Sequence, residues 1–138
     1  IKNSPTNRLY FKMDLFQSVD FISHSGLHLT WKIECDAFSE DEWKTFAKIV
    51  REYESRPWSE VLGIPRGGVK FAKALDEYST HNMNHPLLIA DDVYTTGKSF
   101  RDFSKNITDK EIIKWCVFAR NPIKELDVKA IFTISAAR

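Results

Sequence analysis

The stretch that decides the fold is LLIADDVYTTGKSF, residues 87–100. Its end, Gly97-Lys98-Ser99, matches the end of the P-loop pattern G-x-x-x-x-G-K-[ST], whose first glycine lets backbone N–H groups wrap a triphosphate. Counting back five positions from Gly97 reaches Asp92 instead of a glycine. A carboxylate there puts negative charge where the phosphates would lie, so the stretch does not fit a P-loop.

The remaining pattern is an apolar strand at 87–90, the acids Asp91 and Asp92, and a hydroxyl-rich loop at 95–99 that opens a predicted helix. Free N–H groups and the helix dipole both favour an anion at such a place, so this loop predicts a monophosphate site. Paired carboxylates at the carboxyl end of a buried strand suit a diol, a divalent cation, or both.

Composition limits the class of protein. The chain has 138 residues, 43% of them hydrophobic, with a net charge of +1. We expect one globular domain with little room for a second, and no general affinity for nucleic acid or anionic membranes. No apolar run approaches the roughly 18 residues of a membrane span, and no signal-peptide pattern is present. Cys35 and Cys116 are predicted to be reduced core thiols of a cytoplasmic protein. Whether the chain is a fragment of a longer protein stays open.

The order of predicted elements indicates an α/β fold. Residues 8–35 predict two short strands around a turn at 23–26, and Ser39 with Glu42 forms a capping box for a helix over 39–54. The apolar face of that helix consists of Trp43, Phe46, Ala47, Ile49, Val50 and Tyr53. Further strands are predicted at 61–64, 87–90 and within 112–120 and 129–137, with helices over 69–78 and after residue 97. Strands that alternate with helices over short links predict a parallel sheet, with functional loops at the carboxyl ends of the strands.

A second loop carries polar chemistry upstream, in GIPRGG, residues 63–68. Its glycines permit a positive φ and a close approach of backbone to ligand, and Arg66 offers a forked donor for phosphate oxygens. A ligand along this sheet edge would place a diphosphate near Arg66, a ribose diol on Asp91 and Asp92, and a terminal phosphate on the 95–99 loop. Phosphoribosyl diphosphate has these three parts.

Together the two motifs resemble those of the type I phosphoribosyltransferases. LLIADDVYTTGKS is similar to the phosphoribosyl-diphosphate signature of that family, and GIPRGG resembles its pyrophosphate loop, in the same order along the chain. The resemblance implies a parallel-sheet α/β fold with a small N-terminal hood. We therefore expect a single domain, residues 1–138, with the hood at 1–36 and the α/β core at 37–138.

The resemblance also implies an activity and its residues. The enzyme would transfer ribose 5-phosphate from phosphoribosyl diphosphate to a nucleobase nitrogen and release pyrophosphate. Mg²⁺ would be the cofactor, held through Asp91 and Asp92 indirectly or through the ligand. Because members of this family commonly form dimers, the protein would be a homodimer. The implied site residues are Asp91 and Asp92 for catalysis, Thr95, Thr96, Gly97, Lys98 and Ser99 for the 5′-phosphate, and Pro65, Arg66, Gly67 and Gly68 for pyrophosphate.

A finer resemblance concerns the base. FISHSGLHLTWKIECD, residues 21–36, is similar to the hood segment of orotate phosphoribosyltransferases. It implies that Ser25, Gly26, His28 and Arg120 border the base, although Arg120 is equally compatible with a solvated strand end. The hood lysine and serine of that subfamily align here with His28 and Leu29, so the sequence leaves the acceptor base open.

One departure from the family leaves two functions open. Family enzymes usually insert a strand and a long hairpin between the pyrophosphate-loop helix and the next motif strand, and that hairpin closes over the reacting centre. Here only residues 79–86, or nearly so, separate the two elements. Because a lid excludes water and completes a catalytic site, the chain could be an enzyme or a non-catalytic sensor or regulatory module that binds phosphoribosyl diphosphate or a nucleotide.

Overall fold

A computed structural model of the protein describes residues 13–23 and 26–134. The chain divides into two compact units, with the boundary between Ser39 and Glu40. None of the helices in these described ranges is both long and apolar enough to cross a membrane.

The N-terminal unit contains an antiparallel hairpin, which confirms the predicted strand pair. Its strands are β1 (Phe16–Ile22) and β2 (His28–Ile33), and a 3₁₀ turn over Cys35–Ala37 follows. The pairing register shifts between Ser18 and Phe21. Gly26 in the connecting turn has φ +82°, a left-handed conformation that glycine adopts at no steric cost. The turn residues His24 and Ser25 lie outside the described ranges.

The second unit is an α/β core with a four-stranded sheet. Its elements are α1 (Glu40–Tyr53), β3 (Val61–Gly63), α2 (Val69–Leu75), a 3₁₀ turn (Asp76–Tyr78), β4 (Leu87–Tyr94), α3 (Lys98–Ser104), β5 (Ile112–Ala119) and β6 (Val128–Thr133). The strands lie in the order β3-β4-β5-β6, and every pairing is parallel. The α/β fold class and the parallel sheet predicted from the sequence are therefore confirmed.

Helix α1 buries the face that its apolar spacing predicts, with one exception. Trp43, Phe46, Ala47 and Val50 are buried and Ile49 is half-buried, whereas Tyr53 is 74% exposed. The prediction for Tyr53 was wrong because Glu54, one turn after Val50, takes the inward position.

The inward position of Glu54 requires hydrogen bonds because a buried carboxylate must be compensated. Its side chain is fully buried and accepts from Lys129 Nζ at 2.8 Å, Trp115 Nε1 at 2.9 Å and the Arg56 N–H at 3.2 Å. Burial acts to raise the pKa of Glu54, but these donors outweigh it and hold the pKa below its ordinary value. Glu54 thus stays ionised and links the end of α1 to β5 and β6.

Strand β4 is longer than its apolar run. It was expected to end at Ala90, but it continues to Tyr94 and includes both aspartates. The cause is the long neighbouring strand β5, since Asp91 pairs with Cys116 and Tyr94 with Ala119 in one continuous parallel ladder. The middle of β4 is the centre of the core. Both cysteines are buried and are not joined in a disulfide, as predicted.

The short link over 79–86 lies at the amino edge of the sheet. The Thr80 N–H donates to Trp58 O at 2.9 Å, and the Ser59 N–H donates to Pro86 O at 2.8 Å, so the link packs on the residues just before β3. Leu87 then begins β4 at the same edge. The link is therefore at the opposite end of the strands from the aspartates.

Candidate functional site

Three loops meet at the carboxyl edge of the sheet. The β3–α2 loop is tied to β4 by the Ile64 N–H, which donates to Ala90 O at 2.8 Å, and the loop after β4 leads into α3. The β5–β6 connection begins beside β4, since the Arg120 N–H donates to Tyr94 O at 2.8 Å. Because loops that follow parallel strands lie at the same edge of the sheet, the topology brings both sequence motifs together there.

The pyrophosphate-loop motif closes directly onto β4. A Cβ added to Gly67 would lie 2.6 Å from the Asp92 Cγ, and one added to Gly68 would overlap Ala90 O and lie 2.8 Å from the Ile64 N and O atoms. Neither glycine has a positive φ, so close approach is what requires them. The peptide between Pro65 and Arg66 is cis, and Arg66 is exposed at the tip of this loop.

The two aspartates lie in different environments. Asp91 is only 6% exposed, and its carboxylate accepts the Asp92 N–H at 2.8 Å. Burial, and then the negative charge and carboxyl hydrogen bond of Asp92, raise the pKa of Asp91 to about 9. Asp92 is half-buried, and its carboxylate lies against Gly67. The arrangement therefore keeps Asp91 protonated at neutral pH and presents Asp92 toward the pyrophosphate-loop motif.

The predicted phosphate loop consists of Thr95, Thr96 and Gly97, followed by α3. Gly97 has φ +82°, a conformation that glycine allows, and α3 begins at Lys98 as predicted. The side chains of Lys98 and Ser99 are exposed, and Lys98 Nζ bonds to Asp102 at 2.5 Å along the helix. Thr95 and Thr96 are half-buried, and Gly97 is buried.

Side chains that the sequence motifs do not include hold this loop. Asn121 Nδ2 donates to Thr95 O at 2.8 Å, and Arg101 Nη1 donates to Thr96 O at 3.0 Å. Arg101 Nη1 also donates to Glu125 Oε1 at 2.9 Å, and Glu125 Oε2 accepts from Tyr94 Oη at 2.9 Å. Sequence reasoning missed Asn121 and Glu125 because their partners lie 24 to 31 positions away, and it missed Arg101 because that residue, five positions from Thr96, lies just beyond the motif. The available signal was Asn121 at a strand end, where asparagine often binds backbone groups.

The residues predicted to border the base lie in both units. Arg120 follows the last residue of β5 in the core unit and is half-buried. In the N-terminal unit, Gly26 lies in the hairpin turn and His28 begins β2, where its Nε2 bonds to Asp20 Oδ1 at 2.5 Å. Ser25 lies outside the described residues.

The core unit offers carboxylate oxygen for a hard cation but no full set of ligands. Within the described ranges, no group of three or more His, Cys, Asp or Glu side chains could hold a metal ion. Mg²⁺ typically keeps several waters and binds through one or two carboxylates together with substrate phosphates. The half-buried Asp92 fits that ligand-dependent mode, whereas the buried, protonated Asp91 does not.

The architecture of the chain is that of the phosphoribosyltransferases, because solved structures of these enzymes match its fold over most of its length. Among them is the orotate phosphoribosyltransferase from Aeropyrum pernix, at TM-score 0.66 and 17% identity over 86% of this chain and 88% of that one. The orotate phosphoribosyltransferase of Mycobacterium tuberculosis H37Rv matches at TM-score 0.62 and 13% identity, over 87% and 90% of the two chains.

Base specificity varies among the matching structures. The xanthine-guanine-hypoxanthine phosphoribosyltransferase from Helicobacter pylori matches at TM-score 0.53 and 15% identity, over 72% of this chain and 84% of that one. No protein-family model and no curated protein matches the sequence. The likeness is therefore one of fold, and it confirms the predicted type I phosphoribosyltransferase-like architecture.

Proposed function

We propose that this protein is a phosphoribosyltransferase that transfers ribose 5-phosphate from phosphoribosyl diphosphate to a nucleobase nitrogen. The observation that carries the proposal is the contact between the Gly67 backbone and the Asp92 carboxylate. It unites two motifs 25 residues apart, one suited to a diphosphate and the other to a ribose with its 5′-phosphate. The fold supports this assignment.

In the proposed reaction a base nitrogen attacks the anomeric carbon and forms the new C–N bond. The bond from that carbon to the diphosphate oxygen breaks, pyrophosphate leaves with the electron pair, and the nitrogen loses its proton. Arg66 and the amides of Gly67 and Gly68 would stabilise the leaving charge. The backbone of residues 95–99 would hold the 5′-phosphate and so orient the reacting carbon.

The aspartates take separate parts in this proposal. Asp92, which is half-buried, would accept hydrogen bonds from the ribose hydroxyls and lend negative charge near the developing cation. Asp91 would support Asp92, because its carboxylate already holds the Asp92 N–H. Mg²⁺ bound with the diphosphate, through Asp92 or through the ligand, would offset the charge of the leaving group.

A second candidate is a module that binds phosphoribosyl diphosphate or a nucleotide without catalysis. The placement of the 79–86 link at the amino edge favours it, since this segment lies away from the aspartates. Both candidates use the same phosphate and ribose contacts. They differ in whether a bound base reacts.

The deciding experiment is incubation with Mg²⁺, phosphoribosyl diphosphate and single bases, including orotate, hypoxanthine, guanine and xanthine. An enzyme should release pyrophosphate with at least one base. A sensor should release none, although calorimetry would show that it binds phosphoribosyl diphosphate. The roles of Ser25, Gly26, His28 and Arg120 as base contacts stay predictions. The homodimer and the cytoplasmic location stay predictions.

The site itself is tested with Asp92→Asn, which keeps the shape of the side chain and removes its charge. We expect affinity for phosphoribosyl diphosphate to fall roughly tenfold or more, the cost of losing a charge-assisted hydrogen bond. Asp109→Asn is the matched control, because Asp109 is exposed in the segment just before β5, at the amino edge. Equal affinities of wild type and Asp92→Asn would remove the site assignment for both candidates.

A further inference from the structure

Carbonyl groups of the loop after β4 accept hydrogen bonds from side chains of the β5–β6 connection and of helix α3. Asn121 Nδ2 donates to Thr95 O at 2.8 Å, and Arg101 Nη1, from helix α3, donates to Thr96 O at 3.0 Å. Two consecutive carbonyls of the predicted phosphate loop are therefore held by side chains that belong to neither sequence motif.

Holding a carbonyl also orients the next N–H. In a trans peptide the C=O of one residue and the N–H of the next point in opposite directions in one rigid plane. Asn121 therefore sets the direction of the Thr96 N–H, and Arg101 sets that of the Gly97 N–H. Within the described part of the chain, neither N–H donates a hydrogen bond. The adjacent N–H groups of Thr96 and Gly97 thus point away from the Asn121 and Arg101 side chains, as in anion-binding backbone nests.

Glu125 fixes the position of Arg101. Its Oε1 accepts from Arg101 Nη1 at 2.9 Å, its Oε2 accepts from the Tyr94 hydroxyl at 2.9 Å, and its side chain is 22% exposed. A Cβ on Gly97 would lie 2.6 Å from Glu125 Oε2 and 2.8 Å from Arg101 Nη1, so both groups pack on the loop backbone. Arg101 bonds to a carboxylate and to a carbonyl in the absence of ligand, so its guanidinium is already paired with Glu125.

We propose that Asn121 and Arg101 are positioning residues that aim the Thr96 and Gly97 N–H groups at the 5′-phosphate of the ligand, with Glu125 holding Arg101. The proposal rests on the proposed function and deepens it by adding residues that determine phosphate affinity without contacting the phosphate. Asn121 is neutral, so its effect is on geometry rather than on long-range attraction.

The test uses the full chain and two separate probes, ribose 5-phosphate and pyrophosphate, each with Mg²⁺ in calorimetry. In Asn121→Ala we expect ribose 5-phosphate affinity to fall roughly tenfold, since oriented N–H donors to a charged group are lost. Pyrophosphate affinity should stay within about twofold, because Asn121 bonds to the loop after β4 and not to the GIPRGG loop. Asn106→Ala is the matched control: Asn106 is exposed just after α3, and its replacement should leave both affinities unchanged.

Amide NMR separates positioning from a general loss of charge or fold. At saturating ribose 5-phosphate, Asn121→Ala should lose the ligand-induced shift mainly at Thr96, and Arg101→Met should lose it mainly at Gly97. Equal losses at both amides in both variants, or parallel loss of pyrophosphate binding, would overturn the proposal. So would wild-type ribose 5-phosphate affinity in Asn121→Ala. Failure of the wild-type protein itself to bind ribose 5-phosphate would instead overturn the proposed function, and the positioning role with it.

Discussion

Replacing Gly67 and Gly68 by alanine, one at a time, should separate the candidate site from the fold. The two residues are adjacent and receive the same added methyl group, but they face different atoms. The new Cβ of Gly67→Ala meets the Asp92 carboxylate, a side chain, 2.6 Å from its Cγ. That of Gly68→Ala meets backbone atoms, Ala90 O and the N and O of Ile64.

The expected loss of stability in each variant depends on whether the atoms that the new methyl group meets can move aside. Backbone atoms of β4 and of the residue after β3 cannot rotate aside, so Gly68→Ala should destabilise the protein by about 3 kcal/mol, the upper end of overpacking. The Asp92 side chain can rotate, so Gly67→Ala should change stability by no more than about 1 kcal/mol. The displaced carboxylate then loses its contact with ligand, at about 1.5–3 kcal/mol, or roughly 10- to 150-fold in affinity.

Two measurements on each variant are needed: urea unfolding followed by tryptophan fluorescence, and calorimetric titration with phosphoribosyl diphosphate and Mg²⁺. The expected pattern is a near-native unfolding midpoint with weak binding for Gly67→Ala, and a lowered midpoint for Gly68→Ala. Val69→Ala is a suitable control, because Val69 is 53% exposed and follows both glycines. The reasoning fails if Gly67→Ala binds as tightly as wild type, or if the two variants lose stability equally.

Two buried carboxyls give opposite pH dependences of stability. Glu54→Gln should lower the free energy of unfolding by about 2 kcal/mol at neutral pH, which is less than the loss of a fully buried ion pair because Lys129 is 40% exposed. Since the folded-state pKa of Glu54 is lowered, the stability difference between wild type and variant should shrink as acid protonates Glu54. Asp91 has a raised folded pKa, so wild-type stability should fall as pH rises from its ordinary pKa toward about 9, and Asp91→Asn should flatten that decline. Urea midpoints measured from below the ordinary glutamate pKa up to about pH 9 test both. A constant Glu54→Gln deficit in acid, or an unchanged slope in Asp91→Asn, would contradict these assignments.

The sequence predicted the elements of the core well because its signals there are local. Apolar spacing predicted α1 and the strands, and the two motifs predicted which loops carry the polar chemistry. The predicted end of β4 was wrong because hydrogen bonding to β5 extends β4 past its apolar run. The fully buried Glu54 was missed for a similar reason, since its partners Lys129 and Trp115 lie far along the chain.

The candidate site was predictable in composition but not in geometry. Two adjacent aspartates read as equivalent in a sequence, whereas the fold buries Asp91 and leaves Asp92 at the surface of the site. The bond from Asn121 to Thr95 and that between Glu125 and Arg101 depend on how the β5–β6 connection folds back, which no local pattern encodes. Three-dimensional pairing across the sheet edge therefore supplies the information that the motifs lack.

The position of the 79–86 link has a consequence for protein engineering. A hairpin inserted there would start at the amino edge and would have to cross the sheet twice, up to the aspartates and back to Leu87. Each pass beside β4, which has eight residues, needs about 26 Å of extended chain at about 3.3 Å per residue. In the described sheet, the edge strand next to β4 is β3, so the first pass would have to pair with a strand of three residues. A grafted lid on this scaffold would therefore require a new sheet strand of its own, not a longer loop.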